Sequence, residues 1–150
     1  MTSWHEIEAD APEFASRVRA RFDAGTNKTI ATLRADGSPR ISGLELQFEN
    51  GEATFGMMDG SRKLADVRRD PRVAVHCPTL EPPENNADWP GEAKLAGVAV
   101  VTGRVEDVPD GSAFLLDITE VVLTYLGTPA DHLVIESWHP GRGWERRTRS

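Results

Sequence analysis

The stretch Gly56–Pro71, GMMDGSRKLADVRRDP, decides the fold because a strand end, a turn and a short helix follow one another in it. Ser61 can cap the helix, which ends at Asp70 because a residue before proline is pushed out of the α region. The first turn of a helix has unpaired N–H groups and the positive end of the dipole. Capping alone would favour acidic residues there, but this helix begins with Arg62 and Lys63. Two interpretations fit: a solvated helix start, or a site for a dianion such as phosphate.

The segments around this helix have the β-branched or alternating patterns of strands. They are Thr29–Arg34, Ile41–Phe48 and Glu52–Met58 before the helix, and Arg72–Cys77 after it. Asn50-Gly51, between the second and third segments, is a strong hairpin signal. The sequence therefore predicts three antiparallel strands, one helix and a fourth strand.

The rest of the chain is also mostly strand-like. Strands are predicted over Lys94–Glu106, Phe114–Leu126 and His132–His139, with a turn at Pro109–Ser112. Residues 12–24 form an amphipathic helix in which Phe14, Val18 and Phe22 share one face. The tail Pro140–Ser150 is predicted to be loose. Seven or so antiparallel strands with one inserted helix indicate a mostly β protein, a small antiparallel barrel with an N-terminal helix.

The segment of residues 78–92 interrupts this pattern with four prolines and four acidic residues and no base. A loop of this length in a compact domain is usually either functional or disordered. Trp89 in the loop either packs on its own domain or lies over a ligand. The loop can be a lid or a surface for a partner, and the sequence leaves both open.

Composition narrows the class of protein. The 150 residues are 39% hydrophobic and 27% charged, which is typical of a globular chain, and we expect a single domain over 1–150. The net charge of −7 argues against a nucleic-acid or anionic-membrane binder. There is no apolar run of about 20 residues, as a membrane span requires, and no signal-peptide pattern. The single cysteine, Cys77, cannot form an internal disulfide, so we expect a cytoplasmic protein.

Other catalytic chemistry has little support. The chain contains no GxGxxG, GxxxxGK[ST] or GxSxG motif. His76 and Cys77 are neighbours on a predicted strand, so their side chains point to opposite faces and cannot share a metal ion. The remaining histidines are scattered, and no carboxylates are visibly paired. We therefore predict no metal site and no catalytic acid–base residues.

The succession KTIATLRADGSPRISGLELQF, ATFGMM and GSRKLADVRRDPRVAV resembles the flavin-binding split β-barrel superfamily. That superfamily contains the pyridoxine phosphate oxidases and the flavin- and deazaflavin-dependent oxidoreductases. The resemblance covers residues 28–77 closely, and the chain as far as Trp138 by the order of elements. It implies a split antiparallel β-barrel with an N-terminal helix and one short inserted helix.

The resemblance also implies a cofactor and its site. Eight cofactor-binding residues are implied: Ser61, Arg62 and Lys63 for the phosphate, Ser42, Gly43 and Leu44 along the ring system, and Gly56 and Met57 beside the ribityl chain. The implied cofactor is FMN, with a deazaflavin of the F-420 type as the alternative. The implied assembly is a homodimer with two sites at its interface. The implied reaction is hydride transfer to or from a small organic substrate, because flavins carry this chemistry themselves.

Three further expectations concern the substrate, the cofactor and alternative functions. The C-terminal segment WHPGRGWERRTRS does not follow the pattern of the pyridoxine phosphate oxidases, so we expect no efficient oxidation of pyridoxine or pyridoxamine phosphate. The deazaflavin has a longer acidic tail, for which Arg34, Arg40 and Lys94 are candidate partners, although the acidic loop would repel it if close. A non-catalytic flavin carrier, or a haem-binding protein with His76 or His132 as ligand, is also compatible with the sequence.

Overall fold

The computed structural model describes residues 1–104 and 111–150. The strands of this part of the chain are β1 Asn27–Leu33, β2 Pro39–Glu49, β3 Glu52–Met58, β4 Arg72–His76, β5 Glu92–Arg104, β6 Gly111–Leu126, β7 Leu133–His139 and β8 Gly143–Arg149. The helices are α1 Trp4–Asp10, α2 Pro12–Phe22 and α3 Arg62–Arg69, with a 3₁₀ turn at Asn86–Asp88. None of these helices is long and apolar enough to cross a membrane.

The strands form one antiparallel sheet that closes on itself. The order is β3-β2-β1-β4-β5-β6-β7-β8, and an additional pairing of β3 with β6 closes a barrel of six strands. The long strand β6 makes this possible because its residues 111–115 pair with β3 and its residues 121–126 pair with β7. The predicted mostly β, split-barrel fold is confirmed.

The barrel opens between β2 and β3. Their ladder covers only Leu46–Glu49 against Glu52–Phe55, joined by a hairpin in which both Asn50 and Gly51 have positive φ, as the Asn-Gly pair predicts. Beyond this ladder β2 follows β1, whereas β3 follows β6 as far as Met58. The edge of β2 from residue 39 to residue 45 therefore has no partner in β3, and α3 follows directly from the other side of this opening.

The core is formed by alternate residues of the strands and by side chains of the N-terminal helices that pack against them. Phe55 and Phe114 stack with ring centroids 5.4 Å apart. The face of α2 that the sequence predicted, which includes Phe14, Val18 and Phe22, is buried in this core. Burial of three large apolar side chains, at roughly 2 kcal/mol each, fixes α2 against the barrel.

Two elements were not predicted. Helix α1 begins with a capping box, in which the Ser3 hydroxyl accepts from the Glu6 N–H and the Glu6 carboxylate accepts from the Ser3 N–H. The prediction of a loose tail is wrong, because residues 143–149 form β8 and pair with β7 along their whole length. As an edge strand with polar residues on both faces, β8 has no apolar alternation to reveal it.

The other bounds differ only at the ends of elements. The strand predicted from Phe114 begins at Gly111, so Gly111 and Ser112 belong to β6 rather than to a turn. The strand predicted from Lys94 begins at Glu92. Residues 105 and 106 of that predicted strand, and residues 109 and 110 of the predicted turn, lie outside the described residues.

Candidate functional site

The start of α3 is capped as the sequence predicts. Ser61 has the extended backbone of an N-cap, with φ −71° and ψ 145°, and its Oγ accepts a hydrogen bond from the Leu64 N–H at 3.3 Å. Arg62 and Lys63 form the first turn, which contains no acidic residue, and Asp70 ends the helix. The positive end of the helix dipole therefore coincides with two cationic side chains.

Lys63 connects this helix start to the open edge of β2. Its Nζ donates a hydrogen bond to the carbonyl oxygen of Gly43 at 2.6 Å. In an antiparallel ladder the N–H and C=O of one residue point to the same side, so the Gly43 N–H is also directed away from β1. The structure thus brings together the two segments that the resemblance assigns to the phosphate and to the ring.

The surface at Gly43 is open and flat. A Cβ added at Gly43 would meet no atom within 4 Å. Its neighbours face inward: Leu44 is 4% exposed and Ser42 is half-buried. Because backbone groups alternate between the two edges of a strand, the N–H and C=O of Ser42 and Leu44 point toward β1, and Gly43 is the residue of this stretch whose backbone faces the open edge.

At the end of β3, successive side chains alternate between the core and the surface. Met57 is 2% exposed and packs in the core, whereas Met58 is 66% exposed and Gly56 is also exposed. Of the two residues implied beside the ribityl chain, Gly56 is accessible, whereas the Met57 side chain is buried and its backbone pairs with β6. Met58 was not among the predicted site residues, although strand alternation predicts that one of the two methionines faces out.

An open groove of about 430 Å³ runs beside α3, and four arginines and two aspartates line most of it: Arg34, Arg40, Arg62, Arg69, Asp36 and Asp66. Arg40 and Arg69 are both held by Asp66, at 2.8 and 3.0 Å. Arg34 and Arg62 form no ion pair with any residue of the described ranges 1–104 and 111–150. Since the lining has more cations than anions, the groove offers two arginines to an anionic ligand.

Asp66 fixes α3 in position over the barrel. Its carboxylate is buried and accepts hydrogen bonds from the Thr32 hydroxyl and from Arg40 and Arg69. Burial by itself would raise the pKa of Asp66, but these three donors, Arg40 first, outweigh it and lower the pKa. Because Thr32 and Arg40 are opposite each other on β1 and β2, this one carboxylate ties α3 to both strands.

The acidic loop lies at the other end of the barrel from this groove. Lys94 pairs with His76, which pairs with Thr29 near the start of β1, whereas Arg34 follows the end of β1. Lys94 therefore does not join Arg34 and Arg40, which do line the groove together. The loop of residues 78–91, which connects His76 and Cys77 to β5, is separated from the groove of the same chain by the length of β1.

Both histidines considered as haem ligands are engaged. The Nδ1 of His76 lies 2.7 Å from the Cys77 carbonyl oxygen, and its Nε2 lies 3.3 Å from the Glu92 carboxylate. The Nδ1 of His132 lies 2.7 Å from Asp131, and its Nε2 lies against Gly127, where an added Cβ would collide with the ring. In the described ranges, no three side chains of metal-binding type converge.

A buried carboxylate on β7, outside the six-strand barrel, was missed by sequence reasoning. Glu136 is 1% exposed and accepts from both terminal nitrogens of Arg17 at 2.6 Å, from the Tyr125 hydroxyl and from the Trp144 indole at 2.8 Å. Burial would raise the pKa of Glu136, but the donors, with Arg17 first, lower it. This cluster fastens α2 and β8 to β7 and has no geometry for binding a cofactor.

No family model matches the chain, and no curated protein matches it in sequence. Solved structures do match it in fold. A pyridoxamine 5'-phosphate oxidase-related, FMN-binding protein from Nostoc punctiforme PCC 73102 is 10% identical, with a TM-score of 0.65 and coverage of 93% of this chain and 96% of that chain. The chain has the fold of this FMN-binding protein.

The fold is shared by proteins with other cofactors. An F420 reductase is 13% identical, with a TM-score of 0.54 over 67% of this chain and 92% of that chain. A haem-binding protein from Mycobacterium smegmatis is 18% identical, with a TM-score of 0.55 over 90% of this chain and 88% of that chain. At these identities the likeness establishes the split barrel, and the cofactor must be argued from the residues of this chain.

Proposed function

We propose that this protein is a flavin-dependent oxidoreductase that holds the phosphate of FMN at the start of α3. The observation that carries the proposal is the position of Arg62. Its guanidinium has no ion-pair partner in the part of the chain that the structure describes, although it lies in the first turn of a helix beside Lys63 and the open edge of β2. Unpaired donors at a helix N-terminus are a ready binding site for phosphate.

The residues present fit such a cofactor. Ser61, Arg62 and Lys63 would bind the phosphate, the accessible Gly56 would lie beside the ribityl chain, and the ring would lie along β2 at Gly43, where there is open space. When bound, the flavin supplies hydride transfer to or from a small organic substrate. The chain's own contribution is to position the ring through backbone groups and to exclude water from one of its faces.

A deazaflavin of the F-420 type is the second candidate, and a specific observation favours considering it. Arg34 extends the groove beyond the helix start and has no ion-pair partner in the described ranges. A second anionic group, such as the acidic tail of a deazaflavin, can bind there. The acidic loop of the same chain does not oppose this, because it is at the other end of β1. We keep FMN first because the helix start alone satisfies a single phosphate.

Haem binding has less support than flavin binding, and flavin carriage without turnover uses the same site as the enzyme. A haem ligand requires an imidazole nitrogen free to bind iron, but the Nε2 of His76 lies 3.3 Å from the Glu92 carboxylate and the Nε2 of His132 lies against Gly127. A flavin carrier would use the same phosphate site as the enzyme. Only a turnover assay distinguishes a carrier from an enzyme.

We further propose that two copies associate through the outer face of the sheet. In the register of the strands, Ile41, Ala31, Ala74 and Ala96 lie side by side on this face. Ile41 is 75% exposed, and small residues beside it leave a smooth apolar surface next to Gly43. A second copy would cover this surface and the ring together.

We also propose that each chain is a single domain and that the protein is cytoplasmic.

Titration of the apoprotein with FMN, followed by absorption and by quenching of flavin fluorescence, tests the proposal. We expect saturation at one FMN per chain, a dimer in sedimentation, and oxidation or reduction of the bound flavin by a small conjugated substrate. Failure to bind either FMN or the deazaflavin would remove the oxidoreductase assignment. Binding without turnover would leave the carrier, and a monomer with tightly bound cofactor would remove the shared interface.

A further inference from the structure

A second cavity lies at the end of the barrel away from the basic groove. It has a volume of about 90 Å³ and is enclosed by the end of α2, the end of β4 and the loop of residues 78–91. Trp89, Pro78 and Pro90 form apolar walls, and Arg21, His76 and Glu92 are among the polar residues that line it. This volume accommodates a group of a few heavy atoms.

Arg21 lines this cavity, and none of the contacts described above uses its side chain. It is half-buried, and its guanidinium makes no hydrogen bond or ion pair with any residue of the described ranges. The charge of Arg21 acts on Cys77, which also lines the cavity. Burial raises the pKa of the Cys77 thiol, and Arg21 is among the groups that oppose this rise. A guanidinium has five donors in a planar fork that matches a carboxylate, so an unpaired one in a cavity is suited to an organic acid.

Two carboxylates also line the cavity but do not neutralise Arg21. Glu92 has its Oε2 directed at His76, and neither Glu92 nor Glu81 comes within 4.0 Å of the guanidinium in an ion pair. The Nδ1–H of His76 donates to the Cys77 carbonyl oxygen, which fixes the ring with its Nε2 beside Glu92. The donors of Arg21 are therefore available to a ligand in this cavity.

His76, which lines the cavity, lies on the face of the sheet that carries the proposed flavin site. Thr29 pairs with Gly43 on one side and with His76 on the other, so all three lie in one row on this face. Two strand spacings separate Gly43 from His76, or about 10 Å. A ligand of moderate length could place one end in the cavity and the other beside Gly43.

We propose that this cavity binds the carboxylate group of the substrate, with Arg21 as its anchor and Trp89 against its carbon skeleton. The substrate class is then a small conjugated carboxylic acid whose reacting end extends along Thr29 toward Gly43. The role as substrate rests on the proposed function, whereas binding of a carboxylate between Arg21 and Trp89 does not.

The test uses benzoate as the probe and the intrinsic fluorescence of the apoprotein as the signal. We expect saturable binding of benzoate, much weaker binding of the uncharged benzamide, and loss of the signal in Trp89→Phe. Arg21→Met should weaken benzoate binding roughly ten- to a hundredfold, the effect of removing charge-assisted hydrogen bonds. Arg142→Met, which removes an arginine from the turn before β8, is the matched control and should bind benzoate normally.

Equal affinities for benzoate and benzamide in the unaltered protein would overturn the proposal, even if Arg21→Met did not fold. Unchanged benzoate binding in a folded Arg21→Met would also overturn it. In the FMN-loaded protein, benzoate should shift the visible spectrum of the flavin. If saturating benzoate causes no such shift, the proposed role as substrate is contradicted. Benzoate binding in a protein that binds no flavin would support the cavity and remove the proposed function.

Discussion

Lys63 donates a hydrogen bond of 2.6 Å to the carbonyl oxygen of Gly43, twenty residues earlier in the chain. The contact closes the gap where β2 and β3 diverge, because it joins the first turn of α3 to the unpaired edge of β2. It also places the cationic helix start and the flat surface at Gly43 in one site. Substitutions on β2 and on α3 can therefore show separately what the strand and the helix contribute to cofactor binding.

Gly43→Val should abolish flavin binding without unfolding the protein. The added side chain meets no atom of the chain within 4 Å, and a β-branched residue suits a strand, so we expect a change in stability of less than about 1 kcal/mol. The same side chain occupies the space assigned to the ring. The measurement is FMN titration together with thermal unfolding of the apoprotein. Gln47→Val, on the same strand but past the opening, is the control, and normal FMN affinity in Gly43→Val would place the ring elsewhere.

Lys63→Met should loosen the opening itself. Loss of the bond to Gly43 removes about 1 kcal/mol of local stabilisation, so backbone amides of residues 41–45 should exchange hydrogen faster. Hydrogen exchange measured by mass spectrometry reports this directly. Arg68→Met, in the last turn of the same helix, should leave that exchange unchanged. Equal protection in Lys63→Met and the unaltered protein would mean that the contact does not hold the edge.

Glu136→Gln should make stability less dependent on acidity. Because the folded carboxyl has a lowered pKa, it contributes stability above its ordinary value of 4.5 and loses this contribution as pH falls through the folded pKa. We expect the variant to be less stable by about 2–3 kcal/mol at neutral pH, with the difference shrinking below about pH 4. Urea unfolding over a pH series measures it. Glu145→Gln, an exposed control, should follow the unaltered protein, and a constant difference at all pH values would contradict the account.

The local elements could be predicted from the sequence because their signals are local. Ser61 and the proline after Asp70 bound α3, and Asn50-Gly51 forms the hairpin, since each depends on a few adjacent residues. The alternation at Met57 and Met58 is of the same kind. Helix α1 also carries such a signal, the Ser-x-x-Glu capping box, although it was not among the predicted elements.

The tertiary contacts could not be predicted because they join distant residues of ordinary appearance. Arg17 belongs to an exposed-looking set of arginines on α2, yet it pairs with Glu136 across 119 positions. Asp66 looks like a surface residue of a short polar helix, yet it is buried under Arg40. In both cases donors from several elements surround the buried carboxylate, and tertiary folding brings most of those donors together.

The most direct test of the central claim compares FMN with riboflavin, which lacks the phosphate, in Arg62→Met. We predict that FMN affinity falls roughly ten- to a hundredfold, that riboflavin affinity stays the same, and that the thermal unfolding midpoint of the apoprotein is unchanged. Arg68→Met, which removes a charge from the other end of α3, should bind both ligands normally. Equal FMN affinity in Arg62→Met and the unaltered protein, or an equal loss for FMN and riboflavin, would contradict a phosphate site at the start of α3.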